Sequence, residues 1–182
     1  MLDAMTTHPM VIVPGINDSG PTHWQTLWQA SHPDARRIEP TSFDQPDLED
    51  WVRALDVAVG SCAGPPLLVA HSLGTLAVLE WVRRFGTERV AAALLVAPPD
   101  PHGPNFPTEA PTFVLRDLAP LGIPAAVVGS TDDPYDPDGF AARVAAIGGA
   151  SLHLIGDAGH LNASSGLGEW LQGRQILSEL VT

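Results

Sequence analysis

Leu67-Leu68-Val69-Ala70-His71-Ser72-Leu73-Gly74 joins an uninterrupted apolar run to an amphipathic one. Four apolar residues in a row are too short for a helix and suit a strand buried on both faces. Beyond Gly74, Val78, Trp81, Val82 and Phe85 recur at helical spacing. The segment is therefore a strand that turns sharply into a helix, with Ser72 at the corner. Small residues two before and two after the corner, Ala70 and Gly74, let strand and helix pass closely.

The same alternation runs outward in both directions. Upstream, Met10 to Val13 is a buried strand, followed by the loop Pro14 to Gly20. Pro21 suits the first turn of a helix, and Trp24, Leu27 and Trp28 share one of its faces. Arg37-Ile38-Glu39 is a short second strand. Pro46 opens a helix with Leu48, Trp51, Val52, Leu55 and Val59 on its apolar face, and Asp47, Glu49 and Asp50 in the first turn, where the helix dipole favours them. Downstream, Val90 to Ala97 and Ala125 to Gly129 are strands, Pro137 to Ile147 is a helix, and Leu152 to Ile155 is the last strand. Trp170, Leu171, Ile176, Leu177 and Leu180 mark a closing helix. Residues 98–118 hold six prolines and no helical period. Apolar strands alternating with helices predict a three-layer α/β fold of about six mostly parallel strands, with helices on both faces.

The chain has 182 residues, which fits one domain, 1–182, with residues 1–8 as a flexible extension. Hydrophobic residues make up 45% and charged residues only 16%, so a disordered polyelectrolyte is excluded. The net charge is −12, and all nine basic residues are arginine. That balance argues against nucleic acid, whose backbone rewards basic patches. The longest apolar run, Val90 to Pro99, is about half a membrane span. The first five residues lack the basic and apolar regions of a signal peptide. With the single cysteine Cys62, this predicts a cytoplasmic protein that does not engage membranes.

In a parallel sheet, ligands sit beyond the carboxyl ends of the strands. His71-Ser72-Leu73-Gly74 lies at one such end and approaches the nucleophile elbow G-x-S-x-G, with Ala70 in place of the first glycine. Taken alone, it could equally be a serine capping a helix. A serine nucleophile needs a base, and the base an orienting carboxylate. The loop Ser130-Thr131-Asp132-Asp133-Pro134 and the loop Gly156-Asp157-Ala158-Gly159-His160 leave the next strand ends in the order Ser, Asp, His. Strand-end spacing, with the acid three residues after Gly129, points to Asp132, whereas Pro134 restrains Asp133 toward an extended conformation, as suits an orienting group. His160 is the expected base. His71 is expected to be structural and His153 to sit in a strand. His8, His32 and His102 are expected in solvent, and His23 at a helix end, where it could also touch substrate. Backbone N–H groups of Leu73 and of Ile16, or failing that Asn17, are the expected oxyanion donors. Phe106 and Phe113 are candidate apolar contacts in an open, shallow site. The acidic run from Asp132 to Gly139 is no calcium loop, since Pro134 takes a ligand position and no glutamate follows. No metal site and no cofactor is expected: Cys and His lack zinc spacing, and phosphate-binding glycine motifs are missing.

Val13-Pro14-Gly15 and Asn17-Asp18-Ser19-Gly20-Pro21-Thr22-His23-Trp24-Gln25 resemble the start of the small YdeN-like serine hydrolases, whose animal relative is retinoblastoma-binding protein nine. Ala70 to Gly74, Gly129 to Pro134 and Asp157 to His160 resemble the family's later motifs, so the likeness covers roughly residues 9–180. The resemblance implies a compact α/β-hydrolase fold without a large lid, and the triad Ser72, Asp133 and His160. It does not imply binding to the retinoblastoma protein, because Cys62 stands between Gly60 and Gly64 and not in a Leu-x-Cys-x-Glu segment.

These readings converge on a cofactor-independent serine hydrolase that cleaves small carboxylic esters or related acyl bonds through an acyl-enzyme. Two alternatives remain: an amidase or aminopeptidase with the same triad, and a binding protein on a hydrolase fold. The expected partner is a small acyl substrate. No motif specifies its acyl chain, its leaving group or an oligomeric state.

Overall fold

The structure, a computed structural model, describes residues 7–182. Its centre is a six-stranded, wholly parallel sheet with strands β1 (Met10–Val13), β2 (Ala35–Arg37), β3 (Leu67–His71), β4 (Ala92–Val96), β5 (Ala125–Gly129) and β6 (Ser151–Leu154). The order across the sheet is β2-β1-β3-β4-β5-β6. The chain therefore reverses its direction of travel after β2, and the β1 and β3 strand ends meet at that switch. Helices α1 (Trp24–Ser31) and α5 (Leu171–Glu179) cover one face. The other face carries α2 (Leu48–Gly60), α3 (Leu73–Phe85) and α4 (Phe140–Gly148).

Period-two alternation divides the strand side chains between two cores. Met10, Ile12, Leu67, Val69, Leu94 and Val96 pack under α1 and α5, around Trp24, Trp28 and Trp170. Val11, Val13, Leu68, Ala70, Leu95 and Val127 face the other helices, around Trp51 and Trp81. All five residues expected on the α2 apolar face are buried, and Asp47 caps that helix by accepting from Asp50 N–H at 3.0 Å.

Several boundaries and exposures differ from the sequence reading. The second strand lies two residues earlier, at Ala35–Arg37, because its partners on β1 are Met10 to Ile12. The fourth is shorter than Val90 to Ala97, because Ala97 turns out of the strand with φ 50°. The first helix starts at Trp24, after a turn over Pro21 to His23. The fourth helix starts at Phe140 and not at Pro137: Asp136 reaches forward to accept from Phe140 and Ala141 N–H, so the run Asp136 to Gly139 forms a turn ahead of it. The last strand is an edge, so its Leu152 and Leu154 are exposed where an interior strand would bury them. Phe85 and Leu171 are also exposed, at helix ends, while Trp170 packs in the core just before α5. His32, read as solvent-facing, is buried at the end of α1, where its ring accepts from Asp34 N–H at 3.3 Å. Of the expected flexible extension, residues 1–6 lie outside the described residues, and the His8 ring meets Pro65 O at 3.0 Å. Residues 98–118 form turns with neither helix nor strand, so this segment supplies no helical lid.

Candidate active site

Ser72 occupies the corner between β3 and α3 with φ 53° and ψ −127°. A non-glycine residue there costs roughly 1–3 kcal/mol and persists only when its surroundings hold it. Both of its peptide groups are held. Ser72 N–H donates to Val96 O at 2.9 Å, and Ser72 O accepts from Thr75 N–H at 2.9 Å and Thr75 Oγ1 at 2.7 Å. Gly74 permits the crossing, since a Cβ there would lie 2.2 Å from Val13 O and 2.4 Å from Pro14 O.

The corner aims Ser72 Oγ at His160, whose Nε2 lies 2.8 Å away. His160 Nδ1 lies 3.0 Å and 2.9 Å from the two carboxylate oxygens of Asp133. A carboxylate can only accept, so the proton sits on Nδ1 and Nε2 is left bare to accept the serine hydroxyl. Ser72 and Asp133 are buried and His160 is partly buried. Asp133 Oδ1 also accepts from Tyr135 N–H at 2.9 Å.

Asp132 turns away from the imidazole. Its Oδ1 accepts from Ser130 Oγ at 2.6 Å and from Gly159 N–H at 2.7 Å, which stitches the two loops together. The Ser130 hydrogen bond, followed by that of Gly159, holds the Asp132 carboxyl below its ordinary range. Burial pushes Asp136 up, partly offset by the helix N–H groups it accepts from.

β1 pairs with β3 in the register Val13↔Ala70, which brings the loop after Val13 beside Ser72. Gly15 is needed there: a Cβ would stand 2.8 Å from Ser72 Cβ. Among the described residues, neither Ile16 N–H nor Leu73 N–H has a protein acceptor. The second choice in that loop, Asn17 N–H, is spent on Phe43 O at 2.9 Å, although Asn17 does line the crevice.

The crevice over Ser72 holds about 410 Å³. Ile16, Asn17, His23, Pro107, Tyr135 and Asn162 are among its walls. Phe106 and Phe113 are not. Phe113 packs edge-on against Trp51, with centroids 5.3 Å apart, and Phe106 leans on the same core, because the proline-rich loop folds back over α2. Their apolar character marked burial, and the contact they make is with the protein. The sequence reading missed Tyr135, whose ring lies 4.4 Å from that of His160, and Asn162. Their only signal was adjacency to Asp133 and His160. A larger groove of about 550 Å³ between β2 and α2, lined by Arg36, Arg37 and Arg53, contains none of these groups.

Two further histidines flank the chain. His71 Nε2 meets His160 O at 2.8 Å, and a carbonyl can only accept, so His71 carries its proton there. Burial holds His71 well below its ordinary value and keeps it neutral. His23 caps α1: its Nδ1 accepts from Gln25 N–H at 3.1 Å. Burial, aided by Arg37, lowers His23 to about 4. Its buried Nε2 has no hydrogen-bond partner among the described residues. No group of three or more His, Cys, Asp or Glu among the described residues could hold a metal ion, and no helix there is long and apolar enough to cross a membrane.

The sequence profile of the serine hydrolases matches residues 10–179. The chain belongs to the serine hydrolase family. This serine hydrolase is similar to a protein assigned as a YdeN-like hydrolase from Pectobacterium atrosepticum, with 33% identity over 97% of this chain and 92% of that one, and a TM-score of 0.85. The ydeN product of B. subtilis shares 24% identity over 95% and 98% of the two chains, with a TM-score of 0.80. An α/β-superfamily hydrolase from Xanthomonas campestris shares the fold at 20% identity over 95% and 98%, with a TM-score of 0.65. No curated protein matches the serine hydrolase in sequence.

Proposed function

We propose that this serine hydrolase cleaves small carboxylic esters or related acyl bonds, with Ser72 as nucleophile, His160 as base and Asp133 as orienting acid. The observation that carries the reading is the 2.8 Å approach of Ser72 Oγ to an imidazole nitrogen left bare by Asp133. His160 Nε2 takes the hydroxyl proton as Oγ bonds to the substrate carbonyl carbon. The carbonyl electron pair moves onto oxygen, where Leu73 and Ile16 N–H receive it, each donor being worth about 3 kcal/mol in such sites. Collapse of the intermediate breaks the bond to the alcohol, which leaves with the proton from His160. Water, deprotonated by His160, then attacks the acyl-serine and releases the acid, and Ser72 regains its proton.

Esters are favoured over substrates with a free amine by the state of Asp18. Asp18 lines the crevice and its Oδ1 is already engaged by Arg37 at 2.6 Å, which weakens its pull on a substrate ammonium. A fluorophosphonate should label Ser72 stoichiometrically, and a panel of matched esters and amides should show faster ester turnover. Absence of labelling at Ser72 would support a binding protein on a hydrolase fold.

A further inference from the structure

We propose that His71 and Trp24 are positioning residues that hold the His160 turn in its working conformation. The inference rests on the hydrolase reading above and adds residues that take no part in its chemistry. His160 is followed by Leu161, a buried leucine with φ 52°. Left alone, a leucine leaves that conformation for a more populated one, and His160 would rotate with it. Both peptide groups flanking the Leu161 α-carbon are tied down. The one before it presents His160 O to His71 Nε2–H at 2.8 Å, and the one after it presents Leu161 O to Trp24 Nε1–H at 2.8 Å. The two dihedrals of Leu161 lie between these anchored groups, so neither can relax without breaking one of these two hydrogen bonds.

The anchors are themselves fixed to the strand ends. His71 leads directly into Ser72, so the base is referred to the nucleophile's own backbone. Trp24 opens α1, between His23 and Gln25. Gln25 is fully buried, and its amide donates to Val13 O at 3.2 Å and Val69 O at 3.0 Å, on β1 and β3. His23 caps the helix and packs edge-on against His71, with centroids 4.8 Å apart. Three consecutive residues thus brace one turn on the far side of the crevice. This gives His23-Trp24-Gln25 a task that capping or burial alone does not require. His71 does its part as a neutral donor, and burial keeps it so.

Trp24→Phe removes the donor and keeps an aromatic ring. Its kcat on a short ester should fall roughly 10- to 100-fold with KM unchanged, since a misplacement of about 1 Å can cost 100-fold. The rate of fluorophosphonate reaction at Ser72 should fall in parallel. His71→Leu should behave alike, and His71→Gln, whose amide nitrogen can stand near Nε2, should recover much of that loss. If Trp24→Phe does not fold, the two His71 variants carry the test. Variants that melt earlier but keep wild-type kcat and labelling rate would overturn the tether and leave the hydrolase reading standing. Equal losses in His71→Gln and His71→Leu would also overturn it. A wild-type protein unreactive at Ser72 would overturn both.

Discussion

Replacing Asp133 with asparagine tests the proposed chemistry at one atom. The side chains are nearly isosteric, so packing in this buried site should survive. The orientation of the new amide is dictated by the backbone. Tyr135 N–H donates to Asp133 Oδ1 at 2.9 Å, so the amide oxygen stays there, 3.0 Å from His160 Nδ1, and the NH2 takes the place of Oδ2, 2.9 Å from the same nitrogen. A donor in that place favours the tautomer in which Nδ1 accepts, with the imidazole proton on Nε2, 2.8 Å from Ser72 Oγ. The base is occupied at the moment it is needed. A wrong tautomer in a serine triad costs up to ~10⁴ in kcat, and two to four decades correspond to about 3–5 kcal/mol at the transition state. Asp132→Asn is the control, because its Oδ1 can still accept from Ser130 and Gly159. It should lower the thermal midpoint and leave kcat close to wild type. The assay is kcat on a short ester beside a thermal melt for both variants. Loss of kcat in Asp132→Asn, or an Asp133→Asn enzyme retaining more than roughly a tenth of wild-type kcat, would refute the reasoning.

Three other outcomes are expected. Gly74→Ala should destabilise by roughly 1–3 kcal/mol or more in chemical denaturation, because the clashing atoms, Val13 O and Pro14 O, are backbone and cannot swing aside; a stabilised variant would refute this. Stability should fall as pH drops from 6.5 to about 4, since the unfolded chain protonates His23 before the folded one does. That difference is worth about 3 kcal/mol, and a thermal midpoint that does not drop between pH 7 and 5 would count against it. Glu80, which Arg83 and Arg84 hold down to about 2, extends the loss below its ordinary 4.5. Finally, a crevice of about 410 Å³, with no helical lid supplied by residues 98–118, should turn over short acyl esters faster than long ones, and a preference for dodecanoyl over butanoyl esters would contradict that.

Much of this molecule is written in short stretches of chain. Strand and helix periods are local, so the six strands and five α-helices of the described residues could be placed within a few residues. The elbow was legible for the same reason: small residues around Ser72 are a steric requirement of the corner itself. Chain order then set the Asp133 and His160 loops at strand ends, and the parallel sheet brought those ends to one edge. Periodicity tells that a side chain is buried but not against what. Phe113 was bound to be covered, and only the fold decides that Trp51 covers it and substrate does not. Leu152 and Leu154 look like interior strand residues until strand order puts β6 at an edge. The choice between Asp132 and Asp133 depends on which carboxylate reaches an imidazole 27 residues away. The anchoring of Leu161 O by Trp24 spans 137 residues, and nothing in either segment announces the other. A hydrogen bond of that kind depends on distances and angles between peptide groups that meet only after both layers have packed on the sheet, and so it belongs to the tertiary structure alone.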